Sequence, residues 1–296
     1  SGYPRVAKLW KRGTPLAKAE TVFEGRREDI GIWPRVLDSG GATLPMIDQS
    51  LTFYTGAYHL IGGGGKLRRL PLPESVDLAG FYAGRILFTL RDAWEVAGRT
   101  FPEGALLAID AEAFRESGEL PSIETVYTPD DRTSIEGVTV SRSGLYVSLL
   151  QNVKGSILRF GVEAKSGEWR AEPLPLPPSG TVSLSAANPH SGTVFVNYED
   201  HITPDRLSEY DAGANALTRL KALPARFRAD GLQVSQHTVR SADGETVPYF
   251  VIHRKGLKPD GSTPTILYGY GGFEISLKPS YSATIGKLWL ERGGAY

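Results

Sequence analysis

The run Tyr268-Gly-Tyr-Gly-Gly-Phe273 places two phenols among three glycines, directly after the apolar residues Pro264, Ile266 and Leu267. The apolar run reads as a buried strand leading into a glycine-rich turn. A tyrosine held at a rigid strand end is a preorganised hydrogen-bond donor. The chemistry open to it is stabilisation of negative charge developing on a substrate oxygen, where loss of one donor typically costs about 100- to 1000-fold in rate. Gly269, Gly271 and Gly272 permit a tight backbone path and the close approach of a ligand. By themselves these residues leave two readings open, such a donor or an ordinary glycine-rich turn with an exposed tyrosine.

A donor of this kind serves a nucleophile, and no Gly-x-Ser-x-Gly elbow occurs in the 296 residues. Ser141-Arg-Ser143-Gly and Gly155-Ser156 do not fit it. His59 and His253 lie in strand-like text, where a structural histidine is the expected reading, and His190 and His201 lie in turns beside Pro189 and Pro204. The remaining histidine, His237, forms no metal-ligand spacing with any of them, so neither a metal nor another cofactor is expected. Gly62 to Gly65 followed by Lys66 suggests a phosphate loop. However, Leu60 stands where its first glycine belongs and Leu67 where Ser or Thr should hold magnesium, which leaves a turn. Glu199-Asp200 and Asp130-Asp131-Arg132 read as solvated acidic turns.

Composition narrows the classes further. Lys plus Arg and Asp plus Glu both number 33, giving a net charge of zero, so a nucleic-acid partner is not expected. The absence of cysteine removes disulfides, thiolate metal sites and a cysteine nucleophile together. No apolar stretch reaches the roughly 18 residues of a membrane span, and no membrane partner is expected. The opening Ser-Gly-Tyr-Pro lacks a signal-peptide pattern. The expected location is cytoplasmic, with the periplasm as the alternative if the natural N-terminus is missing.

The elements that must position the glycine turn fall into two textures. From Val6 to Pro224 short β-rich runs alternate with Gly, Pro, Asp and Ser turns, with little helical periodicity. A strand recurs at Ala7, Ala57, Ala105, Ser156 and Arg206, each followed by a turn and a second strand starting near Glu20, Lys66, Ile123, Glu168 and Ala216. The spacing is close to the ~40–50 residues of a four-stranded propeller blade. One longer interval carries an extra loop around Asp92 to Gly104. Upstream of the pairs, Ile86 to Leu90, Leu145 to Leu149 and Val194 to Val196 alternate as strands should. Small residues at Ala79-Gly80, Gly137-Val138 and Ser183 to Ala187 suit innermost strands crowded at an axis. The expected fold is a partial β-propeller over residues 1–225, with whole blades at about 30–73, 76–129, 134–175 and 181–224 and the outer half of an earlier blade. A non-repeating β-sandwich is the alternative.

After Pro224 a hairpin is expected from Leu232 to Val239 and Val247 to His253, turning at Asp243-Gly244. A polar loop, the apolar strand and the glycine turn follow. A helix is expected over Ile285 to Arg292, stopped by Gly293-Gly294, and Gly-Gly-Ala-Tyr296 begins another strand. Residues 226–296 thus look like the opening of an α/β-hydrolase domain.

Leu232 to Tyr296 resembles the prolyl oligopeptidase family of serine peptidases. The likeness lies in Val247-Pro-Tyr-Phe-Val-Ile-His-Arg-Lys-Gly, Asp260-Gly-Ser and Tyr268-Gly-Tyr-Gly-Gly-Phe-Glu-Ile-Ser. Gly2-Tyr-Pro-Arg and Trp10-Lys-Arg-Gly-Thr-Pro are similar to the propeller of bacterial members. The resemblance implies a seven-bladed propeller covering an α/β-hydrolase domain, here represented by about four and a half blades and the first hydrolase strands. It implies cleavage of short peptides on the carboxyl side of proline, with no cofactor and with the remainder of the same polypeptide as the structural partner. It assigns the oxyanion-donor role to Tyr270, and a place in the wall of the pocket for the residue before the cleaved bond to Phe273. The family's Ser, Asp and His would all follow Tyr296, so these residues alone are expected to be inactive. Two other functions remain open, a non-catalytic propeller that binds partners and a related hydrolase of esters or aminoacyl peptides.

Overall fold

The computed structural model describes residues 2–62, 65–273 and 275–296. The chain opens with a two-stranded hairpin, β1 (Val6–Leu9) and β2 (Glu20–Glu24). Four antiparallel four-stranded sheets follow. The first contains β3 (Gly31–Asp38), β4 (Thr43–Ser50), β5 (Gly56–Ile61) and β6 (Leu67–Arg69). In the second, β7 (Val76–Tyr82) and β8 (Arg85–Leu90) are followed by a small hairpin, β9 (Trp94–Val96) and β10 (Arg99–Phe101). That sheet is completed by β11 (Leu106–Asp110), helix α1 (Ala111–Ser117) and β12 (Ile123–Tyr127), with the helix lying between the two strands in the chain. The third contains β13 (Thr133–Ser141), β14 (Gly144–Gln151), β15 (Lys154–Val162) and β16 (Trp169–Pro173). The fourth contains β17 (Thr181–Ala187), β18 (Val194–Glu199), β19 (Arg206–Asp211) and β20 (Ala216–Ala222).

Each sheet is a blade, and in the second and third the strands β8, β11 and β14 are apolar on both faces because each face meets a different neighbour. In β8, Ile86 and Phe88 pack toward Leu44, Met46 and Leu60 of the blade before. Leu87, between them, packs with Leu145 and Val147 of the blade after. In β14, Leu145 and Val147 face backward while Tyr146 faces forward onto Val194, Val196 and Tyr210. Burying one such side chain contributes about 1.5–3 kcal/mol, so the blade stack is held mainly by these intervening layers. The sandwich alternative is excluded, because no pair of sheets encloses one common core; successive blades share successive cores.

The inner strands β7, β13 and β17 each carry a register shift, between Leu78 and Gly80, Ile135 and Gly137, and Leu184 and Ala186. A bulge bends the strand and increases its twist, and here it recurs at the crowded axial end of three blades. At the other end the β3–β4 turn touches the β17–β18 turn. His190 Nε2 lies 2.6 Å from Asp38 Oδ2, and a Cβ on Gly40, whose φ is +82°, would lie 2.0 Å from the Pro189 carbonyl oxygen.

Two features depart from the sequence expectation within the blades. The interval from Asp92 to Gly104 is the β9–β10 hairpin, not a loop; Trp94 packs on Phe88 and Phe101 with ring centroids 6.2 Å apart in each case. Helix α1 was not anticipated. Asp110 caps it by accepting from the Glu112 and Ala113 amides, and Gly118 ends it in the left-handed conformation at φ +74°. Those two capping residues are its sequence signal.

Beyond Pro224 a second unit forms on β21 (Leu232–Arg240) and β22 (Thr246–Arg254), paired from end to end. Tyr296 exchanges two backbone hydrogen bonds with Ile252, and Thr265 forms a parallel bridge with Ala295. The order across this nascent sheet is therefore β21, β22, the 295–296 segment, then the 264–266 segment. The connecting helix α2 (Ala283–Leu288) is capped by Ser282. The expected helix over 285–292 is thus shifted: Trp289, at φ −122°, breaks it, and a separate 3₁₀ turn spans Leu290–Arg292 before Gly293 at φ +95°. Phe227, Leu232, Ile252 and Leu290 form its core. The expected buried strand at 264–267 is corrected as well. Among the described residues it pairs on its Ala295 side alone, and Leu267 remains 95% exposed.

Candidate functional site

The 264–266 segment is fixed by two hydrogen bonds, Ala295 N–H to the Pro264 carbonyl at 2.9 Å and Ile266 N–H to the Ala295 carbonyl at 3.0 Å. The chain then leaves the sheet at Leu267 and enters the glycine turn. Tyr270 is about half exposed, at 48%, and lines a cavity of 690 Å³ together with Tyr268, Phe250, Val247, Leu277 and Tyr296. Its ring folds back over Gly272, where an added Cβ would stand 3.5 Å from the Tyr270 hydroxyl. That is ordinary van der Waals contact, so the ring does not itself require glycine at 272. Phe273 sits at φ +56° and is 90% exposed, outside the cavity wall. The structure thus brings Tyr270 to the cavity and leaves Phe273 projecting beyond it. Glu274 lies outside the described residues.

Past the turn, four consecutive residues lie against the blades. Lys278 pairs with Glu136 of β13. The Thr181 hydroxyl, at the start of β17, donates to the Pro279 carbonyl at 2.6 Å. His201 and Ser280 line the same cavity. The Tyr281 amide donates to Glu199 at 3.0 Å. These blade residues lie at the starts of inner strands, the end of β18 and the loop after it. The β14–β15 turn also belongs to this face, its Asn152 carbonyl accepting from Gln236 of β21 at 2.6 Å. The face of the third and fourth blades carrying these elements is therefore turned toward the Tyr270 cavity.

Two sequence expectations change here. Glu199-Asp200 is not a solvated turn: Glu199 receives Tyr281, while Asp200 accepts from the Ile202 and Thr203 amides and from the Tyr198 hydroxyl. Burial, reinforced by Asp200, pushes the Tyr198 phenol far above its usual range. His201 is likewise more than a turn residue. Its ring packs on Phe250 with centroids 5.1 Å apart, and its Nε2 is buried with no hydrogen-bond partner among the described residues. No sequence pattern signals the Tyr281 and Phe250 contacts, which join residues far apart in the chain, whereas Asp200 caps its own turn within three residues.

Other expected readings hold. His59 is a packed strand residue whose Nε2 meets Gln49 Oε1 at 2.9 Å. Asp130 caps its own turn through Thr133 and the Arg132 amide. In the presumptive phosphate loop, the Gly62 amide donates to the Lys66 carbonyl at 2.8 Å, a turn contact; Gly63 and Gly64 lie outside the described residues.

Burial drives the His201 imidazole below its ordinary pKa, against smaller opposing effects from Asp200 and the Ser280 backbone. The sign follows directly. Above about pH 6.5 both folded and unfolded forms are neutral and the contribution is complete. As pH falls the unfolded chain takes up the proton first, so stability is lost. Thermal melts at about pH 7.5 and 5.5 should therefore show a drop in Tm on acidification that is smaller in His201→Gln. His59, also lowered by burial, accounts for part of the remainder. An equal drop in both proteins would remove His201 from the titration.

Comparison with known proteins gives a consistent result. The family profile described as prolyl oligopeptidase, N-terminal beta-propeller domain, matches residues 93–222. The peptidase y4nA of Sinorhizobium fredii is 36% identical over 308 residues, covering 100% of this chain and 41% of that protein. A prolyl endopeptidase of Elizabethkingia miricola is 33% identical over 132 residues, covering 45% of this chain and 18% of that protein. Among solved structures, a post-proline cleaving enzyme from Rickettsia typhi superposes with a TM-score of 0.81 at 23% identity, over 99% of this chain and 43% of that one. The chain thus spans about two fifths of the length of the full-chain relatives it matches.

Proposed function

This chain belongs to the prolyl oligopeptidase family of peptidases, and from that premise we propose that the protein carrying it is a serine peptidase that cleaves short peptides after proline. Residues 1–225 supply the propeller, and residues 226–296 open the catalytic α/β-hydrolase domain. One observation carries the reading. The 295–296 segment lies between β22 and the 264–266 segment, and parallel to the latter. A sheet of this order, continued by further parallel strands, is the kind of framework that places a nucleophile elbow at its carboxyl end. The glycine turn leaves the carboxyl end of the 264–266 segment, so Tyr270 stands beside the place such an elbow would occupy.

In the proposed mechanism a serine attacks the carbonyl of the scissile bond, with a histidine taking its proton and an aspartate orienting that histidine. Tyr270 donates its hydroxyl to the oxyanion of the tetrahedral intermediate, and Phe273 contributes to the pocket for proline. The hydrolase portion beyond Tyr296 supplies the triad. The propeller face turned toward the Tyr270 cavity restricts access to peptides short enough to pass between the two units.

The test pairs the full-length protein with these 296 residues. The full-length protein should release chromophore from a blocked glycyl-proline anilide and be inactivated by a fluorophosphonate, whereas the 296-residue chain should show no turnover. Cleavage that ignores proline would refute the specificity, and resistance to the fluorophosphonate would refute the serine mechanism. Turnover by the purified 296-residue chain would show that the chemistry uses residues other than an elbow serine.

A further inference from the structure

Three polar contacts, made by Lys278, Pro279 and Tyr281, join the 278–281 segment to the propeller, beginning eight residues after Tyr270. They reach two blades. Glu136 belongs to the third, while Thr181 and Glu199 belong to the fourth. Their positions are specialised. Glu136 is the residue skipped by the register shift in β13, between Ile135 and Gly137, so the bulge re-aims its carboxylate away from the ladder and toward Lys278. Tyr281 is fixed from the other side as well, stacking on Phe227 at 4.9 Å and accepting the Arg226 amide at 2.7 Å. Arg226 and Phe227 lie in the connection between the last blade and β21. The segment is therefore clamped between the propeller and the linker. At its other end it is joined through residues 274–277 to the turn that holds Tyr270.

We infer that Glu136, Thr181 and Glu199 are positioning residues for the Tyr270 hydroxyl, acting through the 278–281 strap so that the donor is correctly placed only while the strap is docked on the propeller. The inference rests on the oxyanion reading of Tyr270. The physical argument is one of tolerance. A displacement near 1 Å at a reacting group can cost about a hundredfold in rate, and the glycine turn is lightly packed against one, with Tyr268 62% exposed and Phe273 90%. The strap supplies the restraint that the turn lacks. Peptide selection and catalysis are thereby joined, because a peptide that props the propeller away from the hydrolase portion also pulls the donor out of register.

The test uses Glu136→Gln combined with Thr181→Val in the full-length protein, with a charge swap, Glu136→Lys with Lys278→Glu, as the rescue. Two readouts are taken, kcat and KM on a proline anilide, and amide hydrogen exchange across residues 275–282. The expected result is a fall in kcat of about tenfold or more with KM within about twofold. It is accompanied by faster exchange in the strap and unchanged exchange in β14, and the swap restores kcat. Unchanged strap exchange would overturn the tether, whatever Tyr270→Phe does. Faster strap exchange with unchanged kcat would overturn the positioning role. A silent Tyr270→Phe beside faster strap exchange would instead overturn the oxyanion reading on which the inference stands. Loss of protection in β14 would show a blade that no longer folds and count against a local tether, in which case the charge-swapped protein decides by its kcat.

Discussion

Replacing Tyr270 with phenylalanine in the full-length protein is expected to lower kcat by about 100- to 1000-fold and to leave KM within about threefold. The change removes one hydroxyl and keeps the ring that folds over Gly272 and helps line the cavity. Ground-state binding therefore has little to lose. The donor matters only when the substrate carbonyl becomes an oxyanion, and an interaction made in the transition state alone appears in kcat and kcat/KM together. Steady-state kinetics on a proline anilide separate the cases. A raised KM at constant kcat would make Tyr270 a binding residue, and an unchanged kcat would dismiss it as a donor.

The largest effect on stability is expected at Phe88. Its side chain is fully buried between the first two blades, among Leu44, Met46, Leu60 and Leu107, and it also supports Trp94 of the β9–β10 hairpin. Phe88→Ala removes the ring and leaves a cavity that rigid strands on both sides cannot collapse, so it should cost about 3–5 kcal/mol. Leu220→Ala, at a site 45% exposed on the outermost strand of the last blade, should stay within about 0.5 kcal/mol. Urea unfolding of the 296-residue chain measures both. A Phe88→Ala loss below about 1 kcal/mol would mean that the layer between these blades contributes little to holding them together.

The blades were legible from the spacing of a recurring strand pair; β8 and β14, expected to alternate as half-buried strands, are instead buried on both faces because each lies between two neighbouring blades. The recurring Ala57, Ala105, Ser156 and Arg206 strands all fall in or beside the third strand of a sheet. What remained hidden had weaker or longer-range causes. Helix α1 is seven residues long, too short for periodicity to register, and only its Asp110 and Gly118 caps mark it. The 264–267 segment carries the composition of a buried strand, but burial needs partners on both sides and Ala295 provides one. At the candidate site the glycine turn was readable from residue types alone. Its relation to Glu136, Thr181 and Glu199 was not, since a contact across 142 residues between Glu136 and Lys278 leaves no local imprint on either segment.

The contact of Asp38 and Gly40 with His190 and Pro189 has a mechanical meaning. Repeat proteins whose units touch only adjacent units behave as a one-dimensional chain, able to fray from either end. A link between the first and last of these four blades turns that chain into a closed circuit. Fraying of either end blade must then break this contact as well as the seam beside it, a small added cost because the pair is exposed.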